Sequence, residues 1–104
     1  MREKDVQNEI RLALRDIAVV FRANVGTFST ADGRMIATGL PKGFSDLFGT
    51  RKIDGKSFYI EVKNEKGRTS KEQEKFLIQM KKNNAIVGVA RNGKEAIRII
   101  EEGI

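Results

Sequence analysis

The sequence predicts a mixed α/β domain in which helices pack against a central sheet. Apolar residues recur at helical spacing near both ends of the chain, and between them lie short apolar or alternating stretches typical of strands. Turn signals rich in glycine separate these stretches. At 104 residues the chain can bury one core, so we expect a single domain over residues 1–104.

A first amphipathic helix is predicted for residues 4–22. Apolar side chains recur there at steps of three and four residues, which is the stripe of a helix with one buried face. The stripe consists of Val6, Ile10, Ala13, Leu14, Ile17 and Phe21. We therefore expect the whole segment to be helical.

Three or four strands are expected next. Residues 25–29 are typical of a strand, a short strand is possible at residues 34–37, and residues 44–50 form a short apolar strand. A turn at residues 51–56 leads into an alternating strand at residues 58–63, so the last two strands are expected to pair as a hairpin.

The second half of the chain predicts a helix, a strand and a closing helix. The second helix opens within residues 67–76 and ends in residues 81–85, where basic residues meet its negative end. Residues 85–90 form a short, continuously apolar strand. Residues 92–103 predict the closing helix, with Gly103 after its last turn.

Composition excludes several kinds of chemistry and indicates a partner. The chain has no cysteine and no histidine, which removes thiolate nucleophiles, histidine-based triads and histidine metal sites. Its 20 basic and 14 acidic side chains give a formal charge of +6, which favours a polyanion partner as much as it fits an ordinary basic protein. Without a signal peptide or an apolar run of about 20 residues, we expect a cytoplasmic protein with no membrane partner.

One strand pair carries acids that could act together. Along residues 58–63 the side chains alternate, so Glu61 and Lys63 share one side of the strand. If the preceding strand pairs with it, Asp46 can approach Glu61, and two adjacent carboxylates require a proton or a cation between them. Mg²⁺ fits such a site because it prefers oxygen ligands and keeps several waters. By spacing alone, however, an acid and a lysine two residues apart more often form a solvated pair.

The stretches "GFSDLFG", "FYIEVKNEKGRTSKEQ" and "FLIQMKKNNAIVGVARNGKEAIRII" together resemble the virus-type replication-repair nuclease domain, VRR-NUC, of the PD-(D/E)xK nuclease superfamily. The resemblance spans essentially the whole chain. It implies a restriction-endonuclease-like core with a mixed central sheet flanked by helices, in the order α-β-β-β-α-β-α. Ser45 stands where the family usually has proline, so this sequence departs from the family pattern in the loop before Asp46.

The resemblance also implies a catalytic set around Mg²⁺ or Mn²⁺. Carried over by position, the set is Glu9, Asp46, Glu61, Lys63 and Gln73. Asp46, Glu61 and the backbone carbonyl of Val62 would bind the metal, with Glu9 acting directly or through water. Asp5 or Asp16 could equally be the helical acid. Gln73 could instead complete a capping box with Ser70, and the two roles do not exclude each other.

Basic residues surround the same loop and are candidate contacts to the DNA backbone. They are Lys66, Arg68, Lys71 and Lys75, beside Lys63. A solvated helix face is the ordinary interpretation of such a run. Next to a metal site, it becomes a phosphate track that positions DNA without reading its sequence.

The predicted function is that of a Mg²⁺- or Mn²⁺-dependent DNA endonuclease. Small stand-alone members of the family resemble Holliday junction resolvases, are often phage-encoded and act as homodimers, which implies branched DNA as the substrate. The apolar residues of the first helix and of residues 35–40 are the candidate dimer contact. The alternatives are a nuclease directed to flaps or nicks and a non-catalytic nucleic-acid-binding module.

Overall fold

The computed structural model describes residues 1–103 and contains three helices and six strands within them. In chain order they are α1 (Glu3–Leu14), β1 (Ala18–Arg22), β2 (Thr27–Ser29), β3 (Met35–Ala37), β4 (Leu47–Arg51), β5 (Ser57–Val62), α2 (Lys71–Lys82), β6 (Ile86–Ala90) and α3 (Gly93–Glu102). None of the helices within these residues is long and apolar enough to cross a membrane.

Four of the strands form one mixed sheet in the order β1-β4-β5-β6. β4 pairs antiparallel with both β1 and β5, whereas β6 runs parallel to β5. With the three helices, this sheet has the predicted order α-β-β-β-α-β-α, and the fold class is confirmed. The β4–β5 hairpin is confirmed as well.

Along the chain, β2 and β3 lie between β1 and β4. They form a separate two-stranded sheet. All six residues of these strands are exposed. Five strands therefore precede α2, rather than the three or four that the sequence predicts. The hairpin is separate from the central sheet, because its strands hydrogen-bond to each other and none of their residues is buried.

The helices cover the two faces of the sheet differently. α1 and α3 pack together on the face where Phe58, Ile60 and Val62 are buried, and α1 contributes its buried residues Val6 and Ile10 to the same core. α2 packs over the opposite face of β5 and β6. β5 is thus covered on both sides, which is how a charged residue on its second face comes to be buried.

The predicted helix over residues 4–22 is wrong in its second half, because α1 ends at Leu14 and residues 18–22 form β1. The backbone N–H of Ile17 bonds to the carbonyl of Leu14 at 3.0 Å, which closes the helix in a turn. Val19, Val20 and Phe21 follow, and branched and aromatic side chains favour a strand. Tertiary pairing with β4 decides the outcome over the helical spacing of the apolar residues.

Candidate active site

Asp46 lies directly before β4, and backbone N–H groups of other residues donate hydrogen bonds to both its backbone carbonyl and its side chain. Its carbonyl accepts a hydrogen bond from Ala23 N–H at 2.9 Å, and its Oδ2 accepts one from Val62 N–H at 2.9 Å. The preceding Ser45 is buried and donates its hydroxyl to the Leu47 carbonyl at 2.9 Å. The loop without the family's proline therefore still presents the carboxylate to the end of β5.

Glu61 is the buried carboxylate of the site. Only 1% of its surface is exposed, because α2 covers this face of β5. Its Oε1 accepts a hydrogen bond from Gln73 Nε2 at 3.0 Å. Among the described residues, its Oε2 has no hydrogen-bond partner. A buried carboxylate oxygen without a partner is costly, so the site is incomplete as a set of protein groups alone.

Electrostatics agree with this geometry. Burial, together with the charge of the adjoining Asp46, raises the pKa of Glu61 from 4.5 to about 9. Glu3 adds to the rise, whereas the charge of Lys63 opposes it. Without a cation, the favoured state at neutral pH is therefore a Glu61 carboxyl that keeps its proton.

Gln73 occupies both of the places that the sequence allows. Ser70 and Gln73 form the capping box at the start of α2, in which Gln73 Oε1 accepts from Ser70 N–H at 2.8 Å. The other end of the same amide donates to Glu61. The capping box thus fixes the side chain that holds the buried acid.

Lys63 lies directly after β5, at the start of the loop that connects β5 to α2, and its charge acts on Glu61. Arg91 ties down this loop, since its Nη1 donates to the carbonyls of Asn64 and Gly67 at 2.6 and 2.7 Å. At Gly67 a Cβ atom would lie 3.1 Å from Lys63 Cδ and 3.0 Å from Glu3 Oε2. The loop therefore brings the lysine stem and the first acid of α1 against the same glycine.

The model of the VRR-NUC domain family matches residues 29–93 of this chain, which is well over half of its length. The chain belongs to the VRR-NUC domain family. The resemblance seen in the sequence is thereby confirmed, and the match includes Asp46, Glu61, Lys63 and Gln73. It begins after α1, so the helical acid lies outside the matched residues. No curated protein matches the chain.

Membership of the VRR-NUC family makes this chain a nuclease domain, with DNA as its partner. Nuclease domains of the PD-(D/E)xK type generally use divalent metal ions. Within residues 1–103, no three or more acidic side chains gather into a metal-binding cluster. Two carboxylates do converge, and the unpartnered Glu61 Oε2 beside Asp46 fits a hard cation that keeps water among its ligands.

The structure does not bring Glu9 to this VRR-NUC site. Its Oε2 accepts a hydrogen bond from Gly93 N–H at 2.7 Å, so the carboxylate lies at the start of α3. Glu3 is instead the acid of α1 that approaches Glu61 and Lys63. The sequence contains a signal for it, since Glu3 precedes Val6 by three residues and Ile10 by seven, along the buried face of the helix.

The predicted backbone contacts Lys66, Arg68, Lys71 and Lys75 are all exposed around the loop and the first turns of α2. Their side chains are therefore accessible to a polyanion. Whether they contact DNA stays a prediction.

An open cleft of about 750 Å³ extends from Asp46 between α1 and the β2–β3 hairpin. Glu3 and Asp46 lie along it, and Phe28 of β2 lines it as well. Neither the composition nor the motifs of the sequence indicate this cleft. It exists because the hairpin inserted between β1 and β4 stands beside the start of α1.

Proposed function

We propose that this VRR-NUC domain is a Mg²⁺- or Mn²⁺-dependent endonuclease that hydrolyses phosphodiester bonds of branched DNA. The observation that carries the proposal is the convergence of Asp46 and Glu61, with a buried Glu61 Oε2 that lacks a protein partner among the described residues. Asp46, Glu61 and the backbone carbonyl of Val62 would hold the cation. Glu3 would take the role, direct or through water, that the family resemblance implies for Glu9.

When bound, the cation would polarise a phosphoryl oxygen and lower the pKa of a coordinated water. Lys63 would stabilise the attacking hydroxide or the negative charge that develops on the phosphoryl oxygens. A preorganised cation lowers the reaction barrier mainly by such electrostatic stabilisation. Gln73 holds Glu61 in place from the capping box and would help orient Lys63 or the attacking water. Because the chain has no histidine, the leaving 3′ oxygen would take its proton from water.

Branched DNA such as a Holliday junction is the proposed substrate, and flap or nicked DNA is the alternative. A chain of 104 residues offers little surface to grip a junction unless two copies present two sites related by symmetry. Exposed apolar side chains occur where the dimer contact is predicted. Leu12 of α1 is 65% exposed and Met35 of β3 is 66% exposed. Light scattering that shows only monomer at assay concentrations would argue strongly against a homodimer.

The single-domain extent of residues 1–104 and a location in the cytoplasm of a bacterium or phage-infected cell stay predictions. The domain extent is supported by one hydrophobic core that includes residues of both α1 and α3.

The proposed activity is tested with a panel of four-way junction, flap, nicked and linear duplex DNA, each with Mg²⁺, Mn²⁺ or chelator. We expect metal-dependent cutting that favours the junction. Lys63→Ala should slow cutting about a hundredfold or more, because one preorganised charge is lost. Lys56→Ala is the matched control, since Lys56 precedes the opposite end of β5.

Binding that survives while no strand is cut with either metal would favour a non-catalytic module. Cutting that prefers flaps or nicks would keep the nuclease and change its substrate. Equal losses in Lys63→Ala and Lys56→Ala would show that Lys63 has no special role.

A further inference from the structure

The cleft beside Asp46 extends beyond the groups that the proposed chemistry uses. Its volume of about 750 Å³ lies within the range of about 300–1,000 Å³ found for sites that bind small molecules. Asp46 and Phe28 of the β2–β3 hairpin both line this cleft. A DNA strand whose phosphate lies at Asp46 would therefore have its neighbouring nucleotide at the mouth of this cleft.

The walls of the cleft combine an aromatic face with cations and an amide. Phe28 is 51% exposed, so its ring is available to stack. Lys4 and Arg22 line the cleft, and among residues 1–103 neither takes part in an ion pair. Asn24 adds an exposed amide to the lining. Stacking, phosphate pairing and hydrogen bonding to a base edge are the three contacts by which proteins hold a single nucleotide.

We propose that the cleft binds one unpaired nucleotide of DNA next to the phosphate that is cut. A base within a duplex is stacked on both faces and paired at its edge, so it cannot enter without being extruded. Extrusion costs a few kcal/mol for a paired base and least for one that is already unpaired. The cleft would therefore favour DNA that presents an unpaired nucleotide, such as a flap, a bulge or a junction that opens a base pair at its branch point. Its position relative to the cut rests on the proposed nuclease function, whereas nucleotide binding does not.

Phe28 makes the proposal testable without disturbing the core. The residue lies in a hairpin whose strands are fully exposed, so its replacement leaves the packing of the core unchanged. Binding is measured by fluorescence anisotropy with an end-labelled duplex that contains a single unpaired adenosine, and with the same duplex fully paired. Both are titrated in Ca²⁺ and in chelator. Phe28→Ala, Phe28→Tyr and Met35→Ala are compared with the unchanged protein.

We expect the unchanged protein to bind the bulged duplex more tightly than the paired one. Phe28→Ala should lose about tenfold in affinity for the bulged duplex, in line with the loss of one base–aromatic stack, and little for the paired duplex. Phe28→Tyr should keep the preference because tyrosine also stacks. Met35→Ala should keep it too, because Met35 is exposed on the same hairpin but does not line the cleft.

Equal affinity of the unchanged protein for both duplexes, or a preference that survives Phe28→Ala, would overturn the nucleotide site. If the same preparation still cuts junction DNA, the nuclease proposal stands alone. A preference that depends on Phe28 in a protein that cuts nothing would leave the nucleotide site standing and remove the nuclease proposal. Equal weakening by Phe28→Ala and Met35→Ala, with loss of a dimer in light scattering, would assign the hairpin to the interface between two copies and overturn the inference.

Discussion

At the scale of single residues, Asp46 and Glu61 form a pair that needs a third participant. Val62 N–H and Gln73 each satisfy one carboxylate oxygen, and the remaining Glu61 oxygen is buried without a partner among the described residues. A proton satisfies the pair in the metal-free protein, and a divalent cation would satisfy it in its place. Proton and metal should therefore compete for one position.

The raised pKa of Glu61 predicts how the stability of the metal-free protein depends on pH. Glu61 has a pKa of about 9 when folded and an ordinary pKa of 4.5 when unfolded. Below 4.5 both states carry the proton, so the contribution of Glu61 is at its most favourable. As pH rises from 4.5 to about 9, the unfolded chain ionises first and stability falls, by an amount on the order of a few kcal/mol.

The measurement is thermal unfolding in chelator across this pH range. We expect Glu61→Gln to flatten the decline, because an amide has no proton to lose. Glu101→Gln, at an exposed glutamate of α3, should leave the slope unchanged. In the unchanged protein, Mn²⁺ should stabilise increasingly as pH rises. A decline that persists unchanged in Glu61→Gln would show that another group is responsible.

The sequence predicts much of this pair, and the reasons are local. Period-two alternation predicts that Glu61 and Lys63 share one side, and the β4–β5 hairpin brings Asp46, which directly precedes β4, near Glu61. The family resemblance points to Glu9, with Asp5 or Asp16 as alternatives, and misses Glu3, because the acid that reaches the site depends on how the start of α1 meets the end of β5. The structure turns Glu3 toward Lys63 and Glu9 toward Gly93.

At the scale of elements, Glu9 joins two helices. α1 and α3 pack side by side, and the bond from Gly93 N–H to Glu9 Oε2 satisfies an N–H at the start of α3. Asn92 caps the same helix by accepting from Glu95 N–H at 2.8 Å. Because the first N–H groups of a helix lack partners within it, a carboxylate placed there stabilises the packing of both helices.

Glu3 and Glu9 of α1 should therefore separate stability from activity. Glu9→Ala should lower the free energy of unfolding by about 1–3 kcal/mol, as expected when a charged hydrogen bond to a backbone N–H is removed, and leave the cutting rate nearly unchanged. Glu3→Ala should slow cutting about tenfold with little change in stability, because Glu3 is exposed and lies near Glu61 and Lys63.

Chemical denaturation and junction cutting, measured on the same preparations, provide the check. If Glu9→Ala abolishes cutting at unchanged stability, Glu9 acts at the site as the family resemblance implies, and Glu3 does not have that role.

Element boundaries show where sequence patterns stop being informative. The helical stripe of α1 continues through Ile17 and Phe21 by spacing alone, yet the chain turns after Leu14 and pairs with β4. Periodicity describes which side chains could share a face, but hydrogen bonding to a strand that comes later in the chain decides whether they do. α2 was predictable because its capping box is a local signal.

At the scale of the whole molecule, charge dominates the surface. The formal charge of +6 is distributed so that Lys66, Arg68, Lys71 and Lys75 are exposed around the loop next to the carboxylate pair. Each lysine or arginine that neutralises a DNA phosphate releases counterions, so its contribution is visible in how affinity changes with salt.

This distribution is tested by replacing two lysines at the start of α2 in one variant and two lysines at its end in another. Lys71→Ala with Lys75→Ala should reduce the slope of log affinity against log salt by roughly 0.9 for each phosphate that the protein no longer neutralises. Lys81→Ala with Lys82→Ala is the matched control at the far end of the same helix. It removes equal charge and should change the slope little. Equal changes of slope in the two double variants would mean that DNA affinity depends on the total charge of the protein and not on the lysines beside the site.

The β2–β3 hairpin has a consequence for the diversity of such domains. It interrupts the chain between two neighbouring strands of the central sheet, while its own strands bond only to one another in the described structure. Its length and tip can therefore change without altering the register of β1 with β4 or the position of Asp46. Selection could retune which nucleic-acid shapes the domain accepts by editing about a dozen residues of this appendage, and leave the hydrolytic centre untouched.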